Sequence, residues 1–211
     1  MLKNGQPVVV LTVSTLPVAA LTAWFALVET GNLRKGQRVL VQGTGGVALA
    51  GLQLARALGA EVTVLSRSEE KLQRAKALGA SGLINTSLTP EWSLRAAELT
   101  RGRGFDHILE LIGGDNLRQS ADALAPGGRI AQIGFLKGNE IILPAVPLML
   151  KRAVIQGITV GHRRSPEGLC QAVDRYQIKP VIDKIYDFSD AGAAFTHLER
   201  GPFGKIVIRI G

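Results

Sequence analysis

The sequence holds little material for cross-linking or for binding a metal. Cys170 is the single cysteine in 211 residues, which excludes an internal disulfide and suits a reducing compartment. It falls in "SPEGLCQAVDRY", a helical pattern in which a core position is expected for it. The three histidines, His107, His162 and His197, lie far apart and show no ligand spacing, so neither a metal site nor zinc is expected. Aromatic residues make up only 5% of the chain and do not interleave with the short basic clusters "RGR" at 101–103, "KR" at 151–152 and "HRR" at 162–164. With no helix-turn-helix, zinc-finger or RNA-binding signature, the net charge of +8 reads as a solvated basic surface and not as a specific nucleic-acid interface. Charge is missing altogether from Pro7 to Val28, yet Pro7 and Pro17 divide that run. Ser14-Thr15-Leu16-Pro17 reads as a helix start with a hydroxyl cap and an early proline, leading to a helix that ends before Gly31. No membrane span is expected, and a cytoplasmic location is. Internal repeats and low-complexity linkers are also missing.

What is present is a regular alternation of two periods. Val39-Leu40-Val41 is an apolar, strand-like run that breaks into Gly43-Thr44-Gly45-Gly46-Val47-Ala48, and "LAGLQLARALG" continues as a helix closed by Gly59. This is the G-x-G-x-x-G/A spacing of a dinucleotide-binding turn. Gly43 permits the turn, Gly45 lets a pyrophosphate approach the backbone, and Ala48 lets helix and strand pack closely, with the phosphates on the free N–H groups of a helix N-terminus. Strands are expected at "EVTVLS", "GLIN", "FDHILELIGG", "GRIAQIG" and "VIQGITVG". Between them lie the helices "SEEKLQRAKALGA", with Ser68 as cap, "PEWSLRAAELTRG" and "NLRQSADALAPGG", and the proline-bounded segment "LPAVPLMLKRA". Six strands in this rhythm predict an α/β Rossmann fold, a doubly wound six-stranded parallel sheet with helices on both faces. From Ser165 onward, "PEGLCQAVDRY", "PVIDKIYDF", "SDAGAAFTHLERG" and "GKIVIRI" alternate without a new crossover rhythm and predict an α+β tail. The expected organisation is a divergent segment at 1–13, the dinucleotide-binding domain at 14–164 and the tail at 165–211.

The choice of dinucleotide turns on the end of the second strand. A carboxylate there, about 20 residues past the glycines, would bind the 2′-hydroxyl of NAD. The strand ends instead in Leu65-Ser66-Arg67-Ser68, with no Asp or Glu before Glu69. A hydroxyl and a guanidinium welcome a 2′-phosphate that a carboxylate would repel, and Lys71 adds a further cation, so NADP(H) is expected in preference to NAD(H). Pairing of Glu69 or Glu70 with Arg67 or Lys71 would blunt that preference.

The run from Ser14 to Ala80, followed in order by "FDHILELIGG", "LAPGGRIAQIGF" and "PFGKIVIRI", resembles the medium-chain dehydrogenases/reductases, the superfamily of zinc-type alcohol dehydrogenases and quinone oxidoreductases. The resemblance implies a nicotinamide dinucleotide, a small-molecule substrate and roles at matching positions. Gly43, Thr44, Gly45, Gly46 and Val47 match the pyrophosphate turn, and Ser66, Arg67 and Lys71 match the grip on the 2′-phosphate. Ile112 and Gly113 match residues beside a cofactor ribose. Ile133, Gly134 and Phe135 match backbone at the nicotinamide end, and Thr22 matches a residue that touches the nicotinamide ring. It also implies homodimers formed through the sixth strand, near "QGITVG". Departures accompany it. "MLKNGQPVVVLTV" does not resemble the N-terminal catalytic domain of such enzymes, so that domain, with its acids and substrate pocket, is expected to be missing and the tail to lack its usual partners. Val18 stands where zinc enzymes of the superfamily carry a cysteine ligand, and Thr86 where some quinone oxidoreductase-like members have a tyrosine. The resulting expectation is the NADP(H)-binding portion of a zinc-independent oxidoreductase that moves hydride to or from a carbonyl, alcohol, enone or quinone. A catalytically inactive nucleotide-binding module that needs a partner chain is the alternative, and no residue is nominated as catalytic acid or base.

Overall fold

The computed structural model describes residues 13–210. The expected divergent segment therefore lies, Val13 apart, outside the described residues. The first helix, α1, runs through three consecutive helical segments, Leu16–Ala20, Leu21–Trp24 and Phe25–Glu29, the outer two wound more loosely than the middle. Pro17 sits in its first turn, where a missing N–H costs nothing. Then follow β1 (Arg38–Gln42), α2 (Gly46–Ala57), β2 (Glu61–Ser66), α3 (Glu69–Ala77), β3 (Gly82–Asn85), α4 (Trp92–Thr100), β4 (Phe105–Glu110), α5 (Asn116–Ala123), β5 (Leu124–Gln132), α6 (Ala145–Lys151) and β6 (Val154–Gly157). These six strands form one sheet in the order β3-β2-β1-β4-β5-β6, every pair parallel. That is the Rossmann order, with its switch point between β1 and β4.

Alternation within the strands divides the core into two layers. Val39, Val41, Val62, Val64 and Leu109 pack on Leu49, Leu52 and Ala55 of α2, Leu72 of α3 and Ala26 and Leu27 of α1. Leu40, Leu65, Ile108 and Ile130 point to the opposite face, against Trp92 and Ala96 of α4 and Ala123 of α5. A parallel strand covered on both faces must be apolar at successive positions, hence "VLV" in β1. Each such side chain fully buried contributes about 1.5–3 kcal/mol. Gly59 and Gly79 take positive φ (83° and 97°) just after α2 and α3, as helix-stopping glycines do. Ser68 caps α3 by accepting the Lys71 N–H at 3.3 Å.

Four local expectations change. The helix read through "NLRQSADALAPGG" stops at Ala123, and β5 already begins at Leu124, because Pro126 cannot continue a helix and Gly127 takes φ 74°. The proline-bounded segment contains a helix, α6, which starts directly after Pro144 and holds Pro147 in its first turn. Cys170 is exposed: the helix that carries it, α7 (Ser165–Tyr176), buries Ser165, Leu169 and Ala172, and the position after Leu169 is turned about 100° away. The tail does have a crossover, since β7 (Ile182–Asp187) and β8 (Lys205–Arg209) pair in parallel through α8 (Ala191–Glu199) as a separate two-stranded sheet. Among the described residues no helix is long and apolar enough to cross a membrane.

Candidate functional site

Six parallel strands present all their C-terminal ends along one edge, so the loops after β1, β2, β4, β5 and β6 line up there. The glycine turn occupies the middle of that edge. Gly43 adopts φ 84°, reachable at little cost only by glycine, and its N–H donates to Leu65 O at 2.8 Å, joining the turn to the end of β2. Gly45 is the N-cap of the 12-residue helix α2, with no side-chain cap and no acidic residue in the first turn. A Cβ at Gly45 would meet no protein atom within 4 Å. An uncapped helix N-terminus with free space beside its cap is a cradle for phosphate oxygens, and the residues fit a dinucleotide pyrophosphate. The need for glycine at position 46 differs: a Cβ there would meet Lys205 Cδ at 2.6 Å and Ala19 Cβ at 3.1 Å. Ala48 is buried against β1, as expected, and helix–strand packing is also close at Gly51, whose Cβ would lie 2.5 Å from Leu109 Cδ1.

Beside the end of β2, Arg67 is exposed and, among the described residues, takes part in no ion pair. Glu69 does not pair with it. Its carboxylate accepts from Gln73 at 2.8 Å and Asn85 at 3.0 Å, and these bonds, Gln73's the larger, hold its pKa below the usual carboxylate value. Ser66 Oγ accepts the Ser68 N–H at 3.2 Å. Lys71 Nζ donates to Gly201 O, so this cation is shared with the tail.

On the other side of the switch point the loops are stapled together. Ile133 and Gly134 donate to Glu110 O at 2.9 and 3.0 Å, and Lys137 donates to Ile112 O at 2.9 Å. A Cβ on Gly113 would lie 2.7 Å from Gly134 O. Ile112, Gly113, Ile133 and Gly134 are thus brought together, and Phe135 projects from this group 73% exposed. Thr22 is buried, and its hydroxyl donates to Val18 O at 2.7 Å, with Thr159 O at 3.4 Å as a second acceptor. That second contact sets Thr22 beside the chain leaving β6.

Residues not recognised in the sequence complete the edge. Gly204 N donates to Thr44 O at 2.9 Å, and Gly45 and Gly204 form a parallel bridge, so the tail lies against the glycine turn with Lys205 next to Gly46. No local pattern announces this contact, which joins residues far apart in the sequence. Three strands also end in polar residues, Gln42, Glu110 and Gln132, a signal readable in the sequence. Val18 is exposed on α1, and among the described residues no group of three or more His, Cys, Asp or Glu is arranged to hold a metal.

Comparison with known proteins agrees with this architecture. The sequence profile of the zinc-binding dehydrogenase family matches residues 46–175. A zinc-type alcohol dehydrogenase-like protein of Schizosaccharomyces pombe is 38% identical over 94% of this chain and 59% of its own length. A crystal structure from Sinorhizobium meliloti 1021, provisionally named an alcohol dehydrogenase, is 59% identical and superposes with a TM-score of 0.90 over 94% of this chain and 58% of that one. An NAD-dependent alcohol dehydrogenase is 32% identical, with a TM-score of 0.87 over 95% of this chain and 59% of its own. The chain therefore spans less than two thirds of these relatives, the part that forms their nucleotide-binding sheet. With sequence profile, strand order and glycine turn in agreement, the chain belongs to the zinc-binding dehydrogenase family.

Proposed function

We propose that this chain binds NADP(H), in preference to NAD(H), as the cofactor-binding part of a zinc-independent, cytoplasmic oxidoreductase acting on a carbonyl, alcohol, enone or quinone. One observation carries the reading: a glycine turn with an open helix N-terminus stands next to a strand that ends in an exposed, unpaired Arg67 and no carboxylate. Nicotinamide dinucleotide binding itself is the common property of the family. When bound, the nicotinamide supplies the hydride donor or acceptor. The protein's contribution is placement. Gly43, Thr44, Gly45, Gly46 and Val47 receive the pyrophosphate, with Lys205 adjacent, and Ser66, Arg67 and Lys71 receive the 2′-phosphate. Ile112, Gly113, Ile133, Gly134, Phe135 and Thr22 border the nicotinamide half. Valine at position 18 offers no zinc ligand, which supports zinc-independent chemistry.

Calorimetric titration with NADPH and NADH tests the preference. A charge-assisted hydrogen bond contributes about 1.5–3 kcal/mol, so NADPH is expected to bind roughly ten- to hundredfold more tightly. Arg67→Ala should remove most of that gap while leaving NADH affinity unchanged. Equal affinities in the parent chain would count against the reading.

We further propose pairing of two copies through the free edge of β6. Its support is the exposure of apolar residues on that edge strand, Val154 and Ile155, and in the segment leading into it, Ile142, Met149 and Leu150. Sedimentation velocity should give a dimer that Ile155→Lys converts to monomer, and a parent chain monomeric at tens of micromolar would rule the pairing out.

A further inference from the structure

Glu110, the last residue of β4, is fully buried at the switch point and has no cationic partner among the described residues. Among the described residues, each of its hydrogen-bond partners donates to the carboxyl. Oε1 accepts the backbone N–H of Ile112 and of Gly113, both at 3.0 Å, and Asn116 Nδ2 at 3.0 Å. Oε2 accepts Gln42 Nε2 at 2.8 Å and the Ser120 hydroxyl. Gln42, the last residue of β1, uses its own Oε1 to accept Leu111 N at 3.2 Å and Asn116 Nδ2 at 3.1 Å. Burying such a group is costly in desolvation, and the cost is offset by the donors that surround it, each of which would be left unpaired without it. What it achieves is geometric: it grips two successive N–H groups of the loop after β4 and, through Gln42, ties that loop to the strand leading into Gly43.

We propose that Glu110 is a positioning residue, which holds the β4 loop at a set distance from the glycine turn and so aligns the two halves of the dinucleotide site. This inference rests on the cofactor reading above. A dinucleotide crosses the sheet edge at the switch point, its adenosine half over β1 and β2 and its nicotinamide half over β4 to β6. The loop N–H groups that Glu110 grips, those of Ile112 and Gly113, lie on the second side. Substitution should therefore weaken a ligand that spans both sides and spare one confined to the first.

The test is calorimetric titration of the full chain with NADPH and with adenosine 2′,5′-bisphosphate, which has the 2′-phosphate but no nicotinamide. Glu110→Gln places an amide N–H₂ against either Gln42 Nε2 or the loop N–H groups. NADPH affinity should fall tenfold or more and bisphosphate affinity less than threefold. The exchanged pair Gln42→Glu/Glu110→Gln restores the match of donors to acceptors, and it should return NADPH affinity to within threefold of the parent, including the case where the single variant does not fold. Equal losses for both ligands, no loss for either, or an exchanged pair that fails to fold or to recover would overturn the positioning role alone. A folded parent chain that binds neither ligand would overturn the cofactor reading and this inference together.

Discussion

Alanine in place of Gly134 is expected to cost about 3 kcal/mol of stability or more, the largest loss anticipated from adding one methyl group to this chain. A Cβ at that position would lie 1.9 Å from Leu111 O and 2.4 Å from its carbonyl carbon. These are backbone atoms, and they cannot turn aside as a side chain does. The Leu111 segment is itself held by Gln42, which accepts its N–H at 3.2 Å, and Gly134 is held by Glu110 O at 3.0 Å. Relief therefore requires the loops after β4 and β5 to separate, breaking the hydrogen bonds that join them. For a chain of this size the loss corresponds to a fall in melting temperature of roughly 6–12 °C. Urea unfolding of the two proteins measures it directly. Gly157→Ala, on edge strand β6 where a Cβ would meet nothing within 4 Å, serves as the matched control and should change stability by no more than about 1 kcal/mol. Equal stability of the Gly134 variant and the parent would mean that the two loops are not packed as described.

The second large effect separates binding from folding. Gly45→Ala has room for its methyl group and an ordinary φ of −82°, so its stability should stay within about 1 kcal/mol of the parent, the usual scale for a change of N-cap residue. The space that the methyl group takes is space beside the N-terminus of α2, where phosphate oxygens would come within hydrogen-bond reach of backbone N–H groups. Nicotinamide dinucleotide affinity is expected to fall about a hundredfold, equivalent to about 2.7 kcal/mol. Calorimetry on the folded variant reads this. Retained affinity would mean that the pyrophosphate is not held against Gly45. Together the two glycines make a contrast that neither shows alone: one is needed because protein is too close, the other because protein is absent.

Much of the sheet was legible from local pattern. Val39-Leu40-Val41 is apolar at successive positions because both faces of β1 are covered, and that continuity distinguishes a buried parallel strand from a half-exposed one. Ser68 and Gly79 bracket α3 as caps and stops do in any helix, since their effect depends on neighbours within a turn. The start of β5 and the exposure of Cys170 depend on contacts that local pattern does not carry. A helical pattern through "ALAPGG" cannot show that Leu124 finds a strand partner in Phe105, and an apolar residue in an amphipathic helix can lie one position off the buried stripe.

The amino-acid order by itself determined the six-strand alternation, the glycine turn and the missing carboxylate at the end of β2, because each depends on residues close together in the chain. Tertiary structure decided the rest of the site. It set Gly204 and Lys205 against Gly45 and Gly46, gave Lys71 to Gly201, and enclosed Glu110 among donors drawn from β1, α5 and its own loop. Such contacts join positions whose separation along the chain carries no periodic or capping signal. They exist only because parallel strands bring all their C-terminal ends to one edge, where distant loops must share the same small space.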